Sequence, residues 1–362
     1  MLLFAGACLY DNINGMVAEL AAALGRAGCE PCILDLRDPG HAPALMAHLG
    51  GGQVAFAVSV AGFGLDTRVA GNVYEGHGVP LVSVYLDPLL LVWDQVALAL
   101  PHRVVTSTAP ADVAFCRGHL GDGARVAFLP HSAPDIPGRP WGERDIPLLF
   151  AASLGEDPER QRAGWRGHGA VVERRLNDML DLLRAEPLRH PVEAVGKVAG
   201  VAAPLALYPY FATLDRYLRA DIRRRTVAAL GGQGLTVVGS GWEGVAGPGV
   251  RFVGPRPAAE VAAMAGRARV VVNAMPRHHG SHERLFVALS AGAAALSTPS
   301  DFLVGADLPV VAAAPEDMAG VLAGADEDLA ARGRAAFLAA HRWDDRARQI
   351  MALAADAAAD LG

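Results

Sequence analysis

The residues best placed to do chemistry lie between Val270 and Thr298. An apolar run ends at Asn273, a loop follows from Ala274 to Gly280, and a helical pattern then puts Leu285, Phe286 and Leu289 on one face. Ser281 precedes that pattern and is a good N-cap residue. Free backbone N–H groups at a helix start, together with the helix dipole, make an anion site. Arg284 falls in the first turn, where a cation opposes the dipole. A bound diphosphate reverses that sign, and the forked guanidinium suits phosphate oxygens. Glu283 can accept hydrogen bonds from ribose or sugar hydroxyls. A surface ion pair between Glu283 and Arg284 is the plainer alternative, and this segment alone does not separate the two.

His278, His279 and His282 crowd the same loop. A metal site, a sugar or phosphate contact from His279 or His282, and a plain polar loop are the three readings. Adjacent histidines in a glycine loop rarely converge on one ion and no cysteine lies nearby, so no metal is expected. Asp11, with Asn12 and Asn14, follows the first apolar run; Asp87 and His131 follow later ones. Open α/β sheets bind ligands past their strand ends, so these three are candidates for a base that deprotonates a hydroxyl. Turn and cap roles compete with that reading.

These residues need a frame, and the rest of the chain supplies its pattern. Short apolar runs at Leu2–Ala5, Ile33–Leu36, Val54–Val60, Leu81–Leu86, Arg103–Ser107 and Val126–Leu129 alternate with helical stretches. That is the signature of a parallel sheet covered on both faces. Pro134, Pro137, Gly138 and Pro140 then mark an extended linker. A second series opens at Ile146–Ala152. It passes through helical patterns at Val171–Ala185, Pro191–Val201 and Phe211–Leu230, and returns to strand–helix alternation from Leu235 to Ala312. The expected division is residues 1–135, a linker 136–145, a second domain 146–340 with a helical section 158–230, and a C-terminal helix 341–362.

The chain's 362 residues suit two domains, and its 52% hydrophobic content can fill two cores. Asp87, Pro88 and Asp94 interrupt the most apolar stretch, so no membrane span is expected. The start has no basic region before its apolar residues, and a cytoplasmic protein is expected. A formal charge of −6 gives no reason to expect nucleic-acid binding. Arg223-Arg224-Arg225 reads as a solvated helix face. Cys29 and Cys32 have C-x-x-C spacing, yet they run into a strand and have no second pair, so structural thiols are expected. Gly239-Ser240-Gly241-Trp242-Glu243-Gly244 fits a dinucleotide fingerprint by spacing, but Trp242 and the lack of a helix start argue against it.

The run from Leu235 to Thr298 resembles a known family. A strand leads to Gly239-Ser240-Gly241-Trp242, a second strand ends in Val253-Gly254, a helix follows Pro257, and a third strand ends at Asn273. A helix with Arg284-Leu285-Phe286 then runs to Ala291-Gly292. This order is similar to the C-terminal domain of GT-B-fold glycosyltransferases, and especially to the spore-maturation CgeB-like group. Val82–Pro88 and Phe128–Asp135 resemble passages of the N-terminal domain more loosely.

The resemblance implies two Rossmann-like parallel-sheet domains facing across a cleft. It implies sugar transfer from a nucleoside-diphosphate sugar, with no permanently bound cofactor and no metal. His279, Gly280, Ser281, His282, Glu283 and Arg284 would grip the donor. Gly239, Gly241 and Trp242, with Gly254 and Arg256, would flank the nucleoside. The family pattern has a ribose-holding Glu where this chain has Val287, and Glu283 one turn earlier can substitute. The acceptor is unknown: a protein such as flagellin, a surface glycan or a small molecule. A nucleotide-sugar epimerase or hydrolase, and a non-catalytic binding subunit, are the alternatives.

Overall fold

The computed structural model describes residues 1–8, 11–52, 54–65, 72–121, 123–186, 189–245 and 247–359. The chain divides into two compact units, residues 1–135 with 337–362, and residues 136–336.

The first unit carries six parallel strands: β1 (Leu2–Ala5), β2 (Cys32–Asp35), β3 (Ala57–Val60), β4 (Leu81–Val84), β5 (Arg103–Ser107) and β6 (Arg125–Phe128). Their order is β2-β1-β3-β4-β5-β6. Every residue of β1, β3, β4 and β5 is buried, as a sheet covered on both faces requires. The C-terminal helix Trp343–Ala358 belongs to this unit. Its Ala347, Ile350 and Ala354 pack with Val17, Leu20, Val58 and Val82. Arg346 on the same helix is 2% exposed and donates to the carbonyls of Pro130 and His131.

The loop after β1 is held from the first helix, Asn12–Arg26. Asn14 Oδ1 accepts from Gly6 N–H at 2.9 Å, and Asn14 Nδ2 donates to Gly6 O at 2.8 Å. One side chain therefore satisfies both backbone groups of Gly6. Asn14→Ala is expected to lower stability by about 1–2 kcal/mol, read as a lower denaturant midpoint with an unchanged slope.

The second unit carries β7 (Ile146–Ala151), β8 (Leu235–Val238), β9 (Arg251–Gly254), β10 (Ala268–Asn273), β11 (Ala294–Ser297) and β12 (Val311–Ala312). The order is β12-β11-β10-β7-β8-β9, again parallel throughout. The chain first builds outward on one side of β7, then returns to build on the other. The switch point therefore lies between β7 and β10, where open sheets of this order bind ligands. Three helices, Ala170–Ala185, Pro191–Ala199 and Pro204–Leu230, make the helical section. The last begins seven residues earlier than the Phe211 expected from sequence and runs through Pro209. Proline there removes one bond, to the carbonyl of Leu205, in a stretch whose Leu205 side chain is 72% exposed.

All four cysteines are free thiols, as expected, and Cys116 is buried. Among the described residues no helix is long and apolar enough to cross a membrane.

Candidate functional site

The loops that leave β7 and β10 meet at the switch point of the second unit. Ser153 O accepts from Arg223 Nη1 at 2.7 Å, and Arg223 Nη2 lies 3.3 Å from Met275 Sδ. Met275 N–H donates to Thr298 Oγ1, which ties the loop after β10 to the end of β11. Arg223 lies on the helix Pro204–Leu230, on a stripe with Phe211, Asp215 and Arg219 at steps of four residues. Such residues share a helix face, and this face turns toward the loops. Arg224 and Arg225 leave it for Asp157, and for Asp221 and Glu316. The three adjacent arginines thus split three ways, and Arg223 is not part of a solvated face.

Asp215 is 1% exposed. Its Oδ1 lies 2.8 Å from His278 Nε2 and 2.7 Å from His279 Nε2, and its Oδ2 lies 3.3 Å from Arg219 Nε. Burial works to raise the carboxyl pKa, but the two imidazoles hold it well below the usual carboxylate range. Phe211 meets the His278 ring edge to face.

Arg284 sits in the first turn of the helix Glu283–Ser290. Its Nη1 is 3.4 Å from Asn273 Oδ1, and its guanidinium carbon is 5.8 Å from the centre of the Phe150 ring. It has no ion-pair partner among the described residues. Burial pushes its pKa down to about 10; Glu283 opposes that shift and the nearby Arg219 adds to it. Burial likewise raises the Glu283 carboxyl, against the pull of Arg284. Both side chains keep some solvent contact while being surrounded by protein. Arg219 is near enough to Arg284 to add to its shift, so two guanidiniums serve the region past the ends of β7 and β10. An anion placed there relieves the repulsion between two guanidiniums and can take the forked donors of either.

The helix start differs in detail from expectation. The N-cap is His282, not Ser281: its Nδ1 accepts from Arg284 N–H at 3.3 Å, and Ser281 is fully buried before it. His282 thus occupies one of the N–H groups expected for phosphate. It also leaves the histidine cluster, because only His278 and His279 converge on Asp215. Gly280 adopts φ 64° and ψ −125°, a conformation that favours glycine, and so sets the direction in which the loop enters the helix.

The nucleoside-side residues separate into two kinds. Gly239, Gly241 and Trp242 lie together past β8 and pack against the end of β7. The Trp242 indole is 1% exposed and donates to Ala152 O at 2.6 Å, so it is a core residue and offers no open stacking face. Gly239 N–H donates to Gly254 O at 3.1 Å, which places Gly254 beside them. Arg256 is exposed, with Glu260 3.5 Å away.

In the first unit Asp11, Asp87 and His131 follow β1, β4 and β6 at the same end of one parallel sheet. Asp11 is exposed, left-handed at φ 58°, and accepts from Asn14 Nδ2 at 2.5 Å. Asp87 is exposed. His131 is 7% exposed and borders an apolar recess with Leu86, Thr108, Trp343 and Arg346.

With this geometry in place, the likenesses to known proteins fall into line. Residues 218–352, just over a third of the chain, match a family described as glycosyl transferase-like. That stretch is a glycosyl transferase-like domain. It contains Arg219, Arg223, Asn273, His278, His279 and Arg284. Solved structures extend the likeness to the whole chain in fold. A glycosyltransferase involved in avilamycin A biosynthesis is 14% identical with a TM-score of 0.55, covering 99% of this chain and 98% of that one. Sucrose-phosphate synthase from Thermosynechococcus elongatus is 13% identical with a TM-score of 0.54, covering 98% of each chain. HepE from Anabaena, solved with UDP and glucose, is 9% identical with a TM-score of 0.52, covering 97% of each. No curated protein sequence matches the chain significantly. The protein therefore has the GT-B fold and carries a glycosyl transferase-like domain.

The sequence reading missed Asp215, Arg219, Arg223 and Ser153. The signal for the first three was the four-residue spacing that continues from Phe211, charged residues on the stripe of an aromatic core residue. Ser153 carries no such signal, because it matters through its backbone oxygen.

Proposed function

We propose that the protein transfers a sugar from a nucleoside-diphosphate sugar to an acceptor, with the donor held by the second unit. The observation that carries this reading is Arg284 in the first turn of the helix after β10, over the Phe150 ring of β7, with no carboxylate ion-paired to it among the described residues and Arg219 near enough to repel it. A diphosphate supplies the missing charge, and charge-assisted bonds from guanidinium to phosphate oxygens are strong. Gly280, Ser281, His282 and Glu283 frame the sugar and ribose, and His279, held on Asp215, positions the loop that carries them. Gly239, Gly241, Trp242, Gly254 and Arg256 frame the nucleoside, the first three by shaping the wall. Catalysis is stabilisation of the leaving diphosphate by fixed cations, with no metal needed at the diphosphate. Within the glycosyltransferases the CgeB-like group is the assignment, on Arg284-Leu285-Phe286 and Ala291-Gly292.

The first unit takes the acceptor side, with Asp11, Asp87 and His131 as base candidates. The acceptor is a protein such as flagellin, a surface glycan or a small molecule, and the reaction belongs in the cytoplasm. HepE was solved with UDP and glucose, which supports UDP-sugars as the first donors to try.

Thermal stability against UDP, GDP, dTDP, CMP, their sugar conjugates and NAD(H) tests the reading. One nucleoside diphosphate at 100 times its dissociation constant should stabilise the protein by about 2.7 kcal/mol. No response to any nucleotide sinks the donor assignment. A response with release of free altered sugar, and no transfer, points to an epimerase or hydrolase on the same fold.

A further inference from the structure

Asp215, His278 and His279 bring three ligand atoms to one buried point. His278 Nε2 and His279 Nε2 lie 2.8 and 2.7 Å from the same Asp215 oxygen, and all three atoms lie within 4.8 Å of one another. The residues are 1–3% exposed. We propose that Asp215, His278 and His279 form a binding site for one divalent transition-metal ion of the zinc type.

Two imidazole nitrogens and one carboxylate oxygen suit zinc, and the same set accepts cobalt or iron in the divalent state. Magnesium and calcium prefer all-oxygen ligands, which this cluster does not offer. The present spacing is that of hydrogen bonds. An ion about 2.0–2.1 Å from each ligand atom needs those atoms only somewhat further apart. Ligation needs the Nε2 lone pair of each imidazole, so in the loaded site each ring carries its proton on Nδ1. Arg219 holds Oδ2, the carboxylate oxygen that faces away from the imidazoles, as supporting groups commonly hold a ligating carboxylate.

A third imidazole lies against the same place. His190 packs against His278 with ring centres 5.8 Å apart. Its Nδ1 accepts from Val192 N–H, so its proton is on Nε2. That Nε2 is buried without a hydrogen-bond partner. Three protein ligands leave one tetrahedral position open. A water bound there is an acceptor of the kind that His190 Nε2–H lacks. The ion would tie the helix Pro204–Leu230 to the loop that carries Gly280–Arg284. The inference is independent of the sugar-nucleotide reading, because it predicts metal binding with no nucleotide present.

The test uses the full chain, stripped with a chelator and dialysed. Titration with Co²⁺ should give visible d–d absorption that saturates at one equivalent and is displaced by Zn²⁺. Zn²⁺ should raise the melting midpoint. His278→Gln and His279→Gln keep an amide able to bond Asp215 and lose the ligand, and each should bind Co²⁺ at least tenfold more weakly with an unchanged far-UV spectrum. X-ray absorption on the Zn²⁺-loaded wild-type protein should show two imidazoles and no sulfur, which keeps the test intact if a variant fails to fold. No saturable binding by the wild type, undiminished binding in both folded variants, or a sulfur-ligated ion overturns the proposal.

Discussion

Arg284→Ala is expected to lower kcat/KM for sugar transfer by about 10²–10³ while leaving the unliganded protein as stable as the parent or slightly more so. Removal of one preorganised donor to a developing anion typically costs about 2.7–4 kcal/mol of transition-state stabilisation, which sets that range. The stability half of the prediction has the opposite sign to most buried-residue deletions. Folding draws Arg284 among protein atoms and toward Arg219, and its pKa falls to about 10. A folded-state pKa below the unfolded value means that the charged form is disfavoured by folding at neutral pH. That penalty is relieved as pH rises through about 10. Alanine relieves it at every pH, against the loss of one long 3.4 Å contact to Asn273 and the packing on Phe150. Arg284→Lys keeps the charge and loses the fork, so its loss should be intermediate. Initial rates with the donor identified by the nucleotide panel, set beside melting curves with and without that nucleotide, decide the matter. A rate loss that merely tracks a lower midpoint would make Arg284 a structural residue.

Much of this frame was legible in sequence because it rests on local signals. Short apolar runs such as Leu2–Ala5 and Arg103–Ser107 are buried on both faces, and their length and flanks mark them as parallel strands. The loop after β10 stood out as a candidate for a different reason: an arginine in a first helical turn is locally unfavourable, and local misfits are where a site is sought first. What sequence did not give was anything set by tertiary contact. Asp215 reads as one acid among many on a long helix, and only the packing of that helix on the loop makes it the partner of two histidines. Ser281 looked like the cap because its side chain suits the role, but the chain turns one residue later and His282 takes it. Trp242 looked like a flank of the nucleoside, and the neighbouring strand end buries it. Each of these turns on where two distant segments meet, which residue type and spacing do not encode.

Gly239→Ala is expected to destabilise the second unit by about 4 kcal/mol or more, enough to leave little folded protein in a marginally stable domain. Gly239 has φ 140°, which side chains rarely adopt. An added Cβ would stand 2.5 Å from Ala152 O, 2.6 Å from its carbonyl carbon and 2.7 Å from Ser153 N. All three are backbone atoms at the end of β7, so no rotamer change makes room. Separation of the two segments would break Ala152 N–H to Val238 O at 2.8 Å and Leu154 N–H to Ser240 O at 2.9 Å. It would also strain the Trp242 bond to Ala152 O. Lost bonds at about 1 kcal/mol each, plus backbone strain of about 1–3 kcal/mol, reach the stated size. Gly244→Ala is the control: its φ is 74° and nothing lies within 4 Å of an added Cβ, so only the strain remains, about 1–2 kcal/mol. Urea unfolding of the two variants separates the effects. Equal losses would show that the close approach to Ala152 is unimportant. A Gly239→Ala protein that is fully stable but blind to nucleotide would move this glycine from the wall to the ligand. On the packing argument the two losses travel together, because the turn at Gly239 fixes the β7 end, and Phe150 near that end lies under Arg284.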